Sequence, residues 1–569
     1  MKREGMKNAK LVGHISHIRH IRYMRHIRNI KLIKYIVIII SAAALATFGI
    51  IQATAPAAPT ASREIVISMP YSSQIRNIDT NYFKQWLEER TGLSIKFNII
   101  YESLSPSYLR SMFNSGYVKS DALFSFFGDG DPDEINRALE ELGEMGHIVP
   151  LNAFIGQSTF LAGITERYPE YDLISAMSSA DGNIYYMPGY DPSTPESISQ
   201  VLWLNQSWLK QLSLGIPRTT GDLRDVLHAF KTRDPNANGI ADEIPLSGSR
   251  DVESEHSYDY IINAFIYNDP ENSRFITESG GIRFAPATGE WRDAMKYLNG
   301  LYGDGLLSHF QFAMGHDSLA AMANDPRGIL GGFASKSIID VIYQSNPEII
   351  NDFIHIAPIS APGGAGGAVV RTPAPHPAGI ITSSCEDPEA VFRLFDLMLS
   401  EEAFIIGRYG EEGVDWERAH ISDMDSYGNR ATIKVVNMLR NKAQNKHMRE
   451  MGPFFAYPEY ADGVTFMFEG SHEYINARAY RSYGQFWPAE YIRSIRFEMG
   501  AQENAAELRA LRGRVDAHTD ACIEAFTTGA ADPFDDDAWE SYLRAYDEIG
   551  LAKLIDAVQT SASIGYNIP

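Results

Sequence analysis

Glu64-Ile-Val-Ile-Ser68, then Asn81-Tyr-Phe-Lys-Gln-Trp-Leu-Glu-Glu-Arg90, then Gly92-Leu-Ser-Ile-Lys-Phe-Asn-Ile99 is the stretch whose reading decides the fold. Ile65 and Ile67 alternate as in a strand, Phe83, Trp86 and Leu87 fall at i, i+3 and i+4 as on one helix face, and Ile95, Phe97 and Ile99 return to a period of two. Gly92 stops the helix. The stretch therefore predicts a β-α-β unit, and Asp121-Ala-Leu-Phe-Ser-Phe126 supplies a further strand, so an open α/β sheet is expected rather than a β-sandwich. Downstream, Thr219 is placed to cap a helix whose Leu223, Val226, Leu227 and Phe230 share a face, with Asp222 at its third position. Residues 388–406 read as another helix, and the last 150 residues read as helical and aromatic-rich.

Outward from these elements, the 569 residues are enough for two or more domains. With ten Lys/Arg and one acid in residues 1–62, the chain's 50 basic and 72 acidic residues leave 40 and 71 for the body. Nucleic acid is not expected as a partner of so acidic a body, because phosphate binding relies on clustered Lys and Arg. The leader is basic through Lys34 and then apolar from Tyr35 to Ile51, followed by Ala/Pro/Thr-rich residues to Ser62. That is export architecture, read either as a cleaved signal, with small-residue contexts at Ala53-Thr54-Ala55 and Ala55-Pro56-Ala57, or as an uncleaved anchor, since 17 apolar residues are at the lower limit for a span. Either way, residues 63–569 are expected outside the cytoplasm. His14, His17, His20 and His26 alternate with arginines as low-complexity leader, and a start at Met24 would leave an ordinary signal sequence. Two cysteines, Cys385 and Cys522, define no disulfide framework and leave one bridge open.

The loop that follows the Thr219-capped helix, Asp234-Pro-Asn-Ala-Asn-Gly-Ile-Ala-Asp-Glu243, places oxygen-bearing side chains at alternate positions around a glycine. Calcium takes six to eight oxygen ligands, and such a loop supplies them from Asp234, Asn236, Asn238, the Ile240 carbonyl and Asp242. The EF-hand pattern fails at its twelfth position, which is Pro245, so either Glu243 closes the site or the loop is a solvated Asx turn. Gly363-Gly-Ala-Gly-Gly367 lacks the Gly-Lys-Ser/Thr ending of a phosphate loop and reads as a linker.

Several stretches resemble the extracellular solute-binding proteins of carbohydrate ABC transporters, in particular the lipoprotein-like branch with the alginate-oligosaccharide binders. They are Trp86-Leu-Glu-Glu-Arg-Thr-Gly92, Gly146-His-Ile-Val-Pro-Leu-Asn152, Asp181-Gly-Asn-Ile-Tyr-Tyr-Met-Pro188, Leu204-Asn-Gln-Ser-Trp-Leu209, Phe230 through Pro245, and Tyr409-Gly-Glu-Glu-Gly-Val-Asp415. The resemblance implies a two-lobed α/β fold of the periplasmic-binding-protein type, with a hinge, a ligand cleft between the lobes and a helix-rich C-terminal part. It assigns 63–185 plus about 375–410 to lobe one, and about 186–370 plus about 411–569, with the loop 234–243, to lobe two. It implies a structural calcium held by Asp234, Asn236, Asn238, Ile240, Asp242 and Glu243. It also implies an oligosaccharide ligand, ABC permease subunits as partners, a monomer and no chemistry. Relatives from Gram-positive bacteria usually carry a lipobox cysteine; this leader has none, so lipid anchoring of that kind is not expected.

A sugar offers C–H ring faces and a rim of hydroxyls, so its site needs aromatic plates beside polar side chains. The candidates near the expected crossings are Tyr186, Tyr190, Phe333, Tyr409 and Trp416, with Arg371 or Arg408 for an acidic sugar. Trp86, Trp203, Trp208 and Trp291 read as core. A membrane-anchored sugar sensor and a secreted glycoside hydrolase are the competing classes. A hydrolase needs two carboxylates flanking a cleft, and neither Glu411-Glu412 nor Asp535-Asp536-Asp537 is marked out by a motif.

Overall fold

The computed structural model describes residues 64–101, 105–124, 132–179, 181–278, 281–364, 366–369, 373–437, 443–448, 451–466, 472–486, 493–494 and 505–565. The leader, with its basic and apolar runs and histidines, lies outside the described residues. Among those described, no helix is long and apolar enough to cross a membrane.

The expected β-α-β unit forms as Glu64–Pro70, Tyr82–Thr91 and Ser94–Ile100, its two strands parallel and in register from Glu64 opposite Ser94 to Pro70 opposite Ile100. Asn81 caps the helix by accepting from the Phe83 and Lys84 amides, and Gly92, at φ 70°, closes it. These strands edge a six-stranded mixed sheet in the order Phe454–Phe455, Met187–Tyr190, His376–Ile381, Ala122–Phe124, Glu64–Pro70, Ser94–Ile100. His376–Ile381 runs antiparallel to both of its neighbours. The return of the chain after the second body is what inserts it there.

A second body is built around three antiparallel strands, Gly332–Ser335, Val201–Asn205 and Phe353–Ile356. Around this sheet pack Thr220–Thr232, Gly289–Gly303 and the long C-terminal helices Ala505–Thr528, Asp536–Ile549 and Leu551–Gly565. Two separate apolar cores result. One contains Ile65, Ile67, Phe124, Met187 and Phe395, and the other contains Trp203, Phe230, Trp291, Phe333 and Tyr546. Trp86, Trp203, Trp208 and Trp291 are all core residues. Cys385 belongs to the first core and Cys522 packs on the second, and no disulfide joins them.

The chain passes between the cores after Tyr190, again between Val369 and His376, and a third time between Phe466 and His472. The third passage differs from the expected boundary at about 411. Trp416, Ile433, Val435, Phe455 and Val464 lie in the first core, because Phe454–Phe455 pairs in parallel with Met187–Tyr190 and extends the first sheet. Met187 and Tyr190 likewise belong to the first core, placing the first boundary a few residues later than 185.

Candidate functional site

A cavity of about 320 Å³ opens where residues of both cores face one another. This is within the size range of small-molecule sites, roughly 300–1,000 Å³. From the first body, the helix Glu401–Tyr409 brings Arg408 and Tyr409 to its mouth. Ser400 caps that helix, Ala403, Phe404, Ile405 and Ile406 bury its inner face, and Gly410 at φ 89° ends it. The Tyr409 hydroxyl donates to the Tyr460 carbonyl at 3.0 Å, and Arg408 is ion-paired to Asp191 of the first crossing at 3.0 Å.

From the second body, the helix His472–Tyr483 lines the cavity with Glu473, Asn476, Ala477 and Tyr480, one face at i, i+3, i+4 and i+7. Asn476 is held in place: its carbonyl accepts from the Ile338 amide at 3.1 Å and its amide donates to the Ser337 hydroxyl at 2.6 Å. Asp340 stands on the neighbouring wall beside Lys336, whose ammonium is 2.6 Å from Glu196.

Two features tie the bodies together at this cavity. Asp425 accepts from the amides of Tyr427 and Asn429, at 2.9 and 2.8 Å, in an Asx turn that presents Ser426 and Tyr427. Tyr427 packs on the second core although the strands flanking its loop belong to the first. Asp462, also lining the cavity, accepts from the Thr194 amide at 3.2 Å and from its hydroxyl at 3.0 Å. Burial, opposed by those bonds and reinforced by Asp191, pushes the Asp462 carboxyl up to about 6. The Ser426 hydroxyl is buried and makes no hydrogen bond.

Of the expected aromatic plates, only Tyr409 lines the cavity. Tyr186, Tyr190, Phe333 and Trp416 are 3%, 1%, 0% and 4% exposed, so in this conformation they offer no face to a ligand. Tyr190 packs against Tyr171 and Phe455 beside the first sheet, Phe333 meets Phe353 across the second, and the Trp416 indole donates to the Gly410 carbonyl at 3.0 Å. Arg371 lies outside the described residues. The lining groups that the sequence did not single out are Asp340, Ser426, Tyr427, Asp462, Glu473, Asn476 and Tyr480. The face of His472–Tyr483 was readable as a periodicity, and nothing local marked the others.

The loop Asp234–Glu243 turns as an oxygen-lined pocket. Asp234 accepts from the Asn238 and Gly239 amides at 3.1 and 3.0 Å, and Asn238 accepts from the Ile240 amide at 2.7 Å. Asp234, Ala237 and Gly239 all have positive φ. Oδ2 of Asp242 and Oε1 of Glu243 are buried without a hydrogen bond, and the nearest cation to Asp242 is Arg327 at 3.5 Å. Burial, with Asp234 and Asp242 close by, raises the Glu243 carboxyl. Orphaned carboxylate oxygens that repel one another fit a hard cation. Among the described residues no group of three or more His, Cys, Asp or Glu is gathered to hold a metal, so the fit rests on amide and carbonyl oxygens as well.

No family model matches the chain. In sequence it is 26% identical over 427 residues to the fructooligosaccharide ABC transporter substrate-binding protein FusA of Streptococcus pneumoniae serotype 4, covering 72% of this chain and 74% of FusA. In structure it aligns with FusA in complex with kestose at a TM-score of 0.66 and 20% identity, over 88% of this chain and 99% of that one. A solute-binding protein of Bifidobacterium longum infantis, associated with a transporter of human milk oligosaccharides, gives 0.69 at 17% identity over 89% and 99%. The alginate-binding protein AlgQ2, solved without calcium ion, gives 0.55 at 18% identity over 89% and 99%. FusA has also been solved as an EF-hand mutant. The two-lobed α/β architecture is shared with these structures, and in sequence the chain is similar over most of its length to a carbohydrate ABC transporter substrate-binding protein.

Proposed function

We propose that the protein captures an oligosaccharide in the cavity between its two cores and delivers it to an ABC permease, acting as a monomer and performing no chemistry on it. The observation that carries this reading is the cavity itself. It is lined from both bodies by tyrosines and by hydrogen-bonding side chains, the combination that ring faces and hydroxyls require. Ligand touching both walls stabilises the closed arrangement, and the closed population is what a permease can recognise. FusA, named for fructooligosaccharide transport, supports a sugar ligand. Calorimetric titration with oligosaccharides, followed by mass analysis of the recovered sugar, tests the reading: binding with intact recovery is expected, and cleavage products would overturn it in favour of a hydrolase.

The loop Asp234–Glu243 holds a structural calcium in this account, through Asp234, Asn236, Asn238, the Ile240 carbonyl, Asp242 and Glu243. The ion would neutralise the crowded carboxylates and fix the loop between the helix Thr220–Thr232 and the second core, away from the cavity. The basic and apolar runs of the leader support export, with the body working outside the membrane.

A further inference from the structure

The first body carries an aromatic surface that is not part of the cavity lining. Tyr71 and Tyr101 are 56% and 76% exposed, and their rings stack on one another with centroids 5.2 Å apart and planes 25° from parallel. The sheet builds this pair. Pro70 and Ile100 are partners at the ends of the parallel strands Glu64–Pro70 and Ser94–Ile100, and the Tyr71 amide donates to the Ile100 carbonyl at 2.8 Å. The ladder thus runs one bond past the strands and delivers both rings side by side. Single exposed aromatics need no explanation, whereas a contiguous pair held in register is a ready face for a ligand.

Its place in the sheet says which ligand. Ala122–Phe124 and Met187–Tyr190 both run antiparallel to His376–Ile381, and Glu64–Pro70 runs parallel to Ala122–Phe124 and to Ser94–Ile100, so four strands point one way. The chain leaves the first body at the end of Met187–Tyr190 and re-enters at the start of His376–Ile381. Tyr71 and Tyr101 therefore emerge on the edge from which the crossings depart, and the crevice outside the carboxyl ends of the strands is where open α/β sheets bind ligands. In the sheet order their strands are three and four places from Met187–Tyr190, about 14–19 Å along that edge at the usual strand spacing. The loop after Tyr71 is also tied to the cavity wall: the Gln444 amide donates to the Gln74 carbonyl at 2.9 Å, the Gln444 side chain donates to the His447 carbonyl at 3.0 Å, and His447 lines the cavity. A sugar packs its C–H face on an aromatic ring and leaves its hydroxyls for polar neighbours, which Ser72, Ser73 and Gln74 supply in the same loop. Resting on the capture reading given above, we infer that Tyr71 and Tyr101 form a distal sugar subsite, on which the outer units of an oligosaccharide stack while its inner units fill the cavity, so that the protein selects longer chains.

The test is calorimetric titration of the full chain, with calcium present, against fructo-, malto-, xylo- and manno-oligosaccharides, each from disaccharide to hexasaccharide. In a class that binds, affinity is expected to rise about tenfold or more from the shortest chain to the longest. The double variant Tyr71→Ala with Tyr101→Ala is expected to lose that gain, weakening the hexasaccharide about tenfold or more while changing the disaccharide less than about twofold. The pair Tyr71→Phe with Tyr101→Phe keeps both ring faces and is expected to keep the gain. Both side chains are exposed, and the length series on the unaltered protein needs no variant, so a misfolded variant does not spoil the test. Affinity flat with length, a gain untouched by the alanine pair or lost in a folded phenylalanine pair, or equal weakening of disaccharide and hexasaccharide overturns the inference while the capture reading stands. Absence of binding by every sugar overturns both.

Discussion

Asp462 accepts both donors of Thr194 and lies near Asp191 and Arg408, yet its carboxyl is held up to about 6 because burial outweighs those bonds. A carboxyl whose folded pKa exceeds its unfolded value of about 3.9 favours protonation in the fold, so this group lowers stability as pH rises from about 4 to about 6. The loss is complete above that window. Asp462→Asn keeps an acceptor for Thr194 and removes the charge; it is expected to flatten the stability curve across that window and to be roughly 1–3 kcal/mol more stable at pH 7. Denaturant midpoints measured at half-unit pH steps check this, and parallel curves for the two proteins would contradict it. At the same scale, Asp234→Ala or added chelator is expected to lower the melting temperature without abolishing sugar binding. A melting curve indifferent to chelator, with metal analysis finding none bound, sinks the calcium assignment. The turn of the Asp234–Glu243 loop was legible in the sequence because its oxygen-bearing side chains are neighbours. Tyr190 and Phe333 misled because aromatics on strands at the sheet interior sit between packed layers, and a sequence does not say which layer is covered.

At the scale of elements, local signals were faithful. The helix Thr220–Thr232 forms with the expected reciprocal cap, the Thr219 hydroxyl accepting from the Asp222 amide at 3.1 Å while Asp222 accepts from the Thr219 amide at 3.1 Å. Thr219→Ala is expected to cost about 0.5–2 kcal/mol. Leu227 is fully buried on the inner face of the same helix, and Leu227→Ala is expected to cost about 2–5 kcal/mol through the cavity it leaves. Equilibrium unfolding separates the two, and equal costs would show that the cap rather than the face secures the helix. Against the expectation of lobe two from about 411, Trp416, Ile433, Val435 and Val464 pack in the first core, in line with Phe454–Phe455 pairing with the distant strand at Gly189 and Tyr190. Pairings of that range leave no periodicity to read. The cavity has the same origin: Arg408, Ser426, Asp462 and Asn476 come from four elements, and only the helical face through Asn476 and Tyr480 had a local pattern.

At the scale of the molecule, the two cores are joined by three passages of chain and face one another across a cavity to which each contributes. Such an arrangement closes on its ligand when contacts to both walls exceed the cost of ordering them. Saturating oligosaccharide is therefore expected to reduce the radius of gyration measured by solution scattering, and Tyr480→Ala, which removes a ring from the second wall, is expected to weaken binding by about tenfold or more while leaving the first core intact. Unchanged scattering on saturation would show that binding does not move the bodies. The central claim, that this cleft captures sugar and leaves it whole, is tested most directly by titrating the protein with neutral oligosaccharides in a calorimeter and weighing what is recovered. The account predicts saturable binding at one site per chain with the oligosaccharide unaltered in mass; failure of every oligosaccharide to bind, or recovery of shortened products, would contradict it.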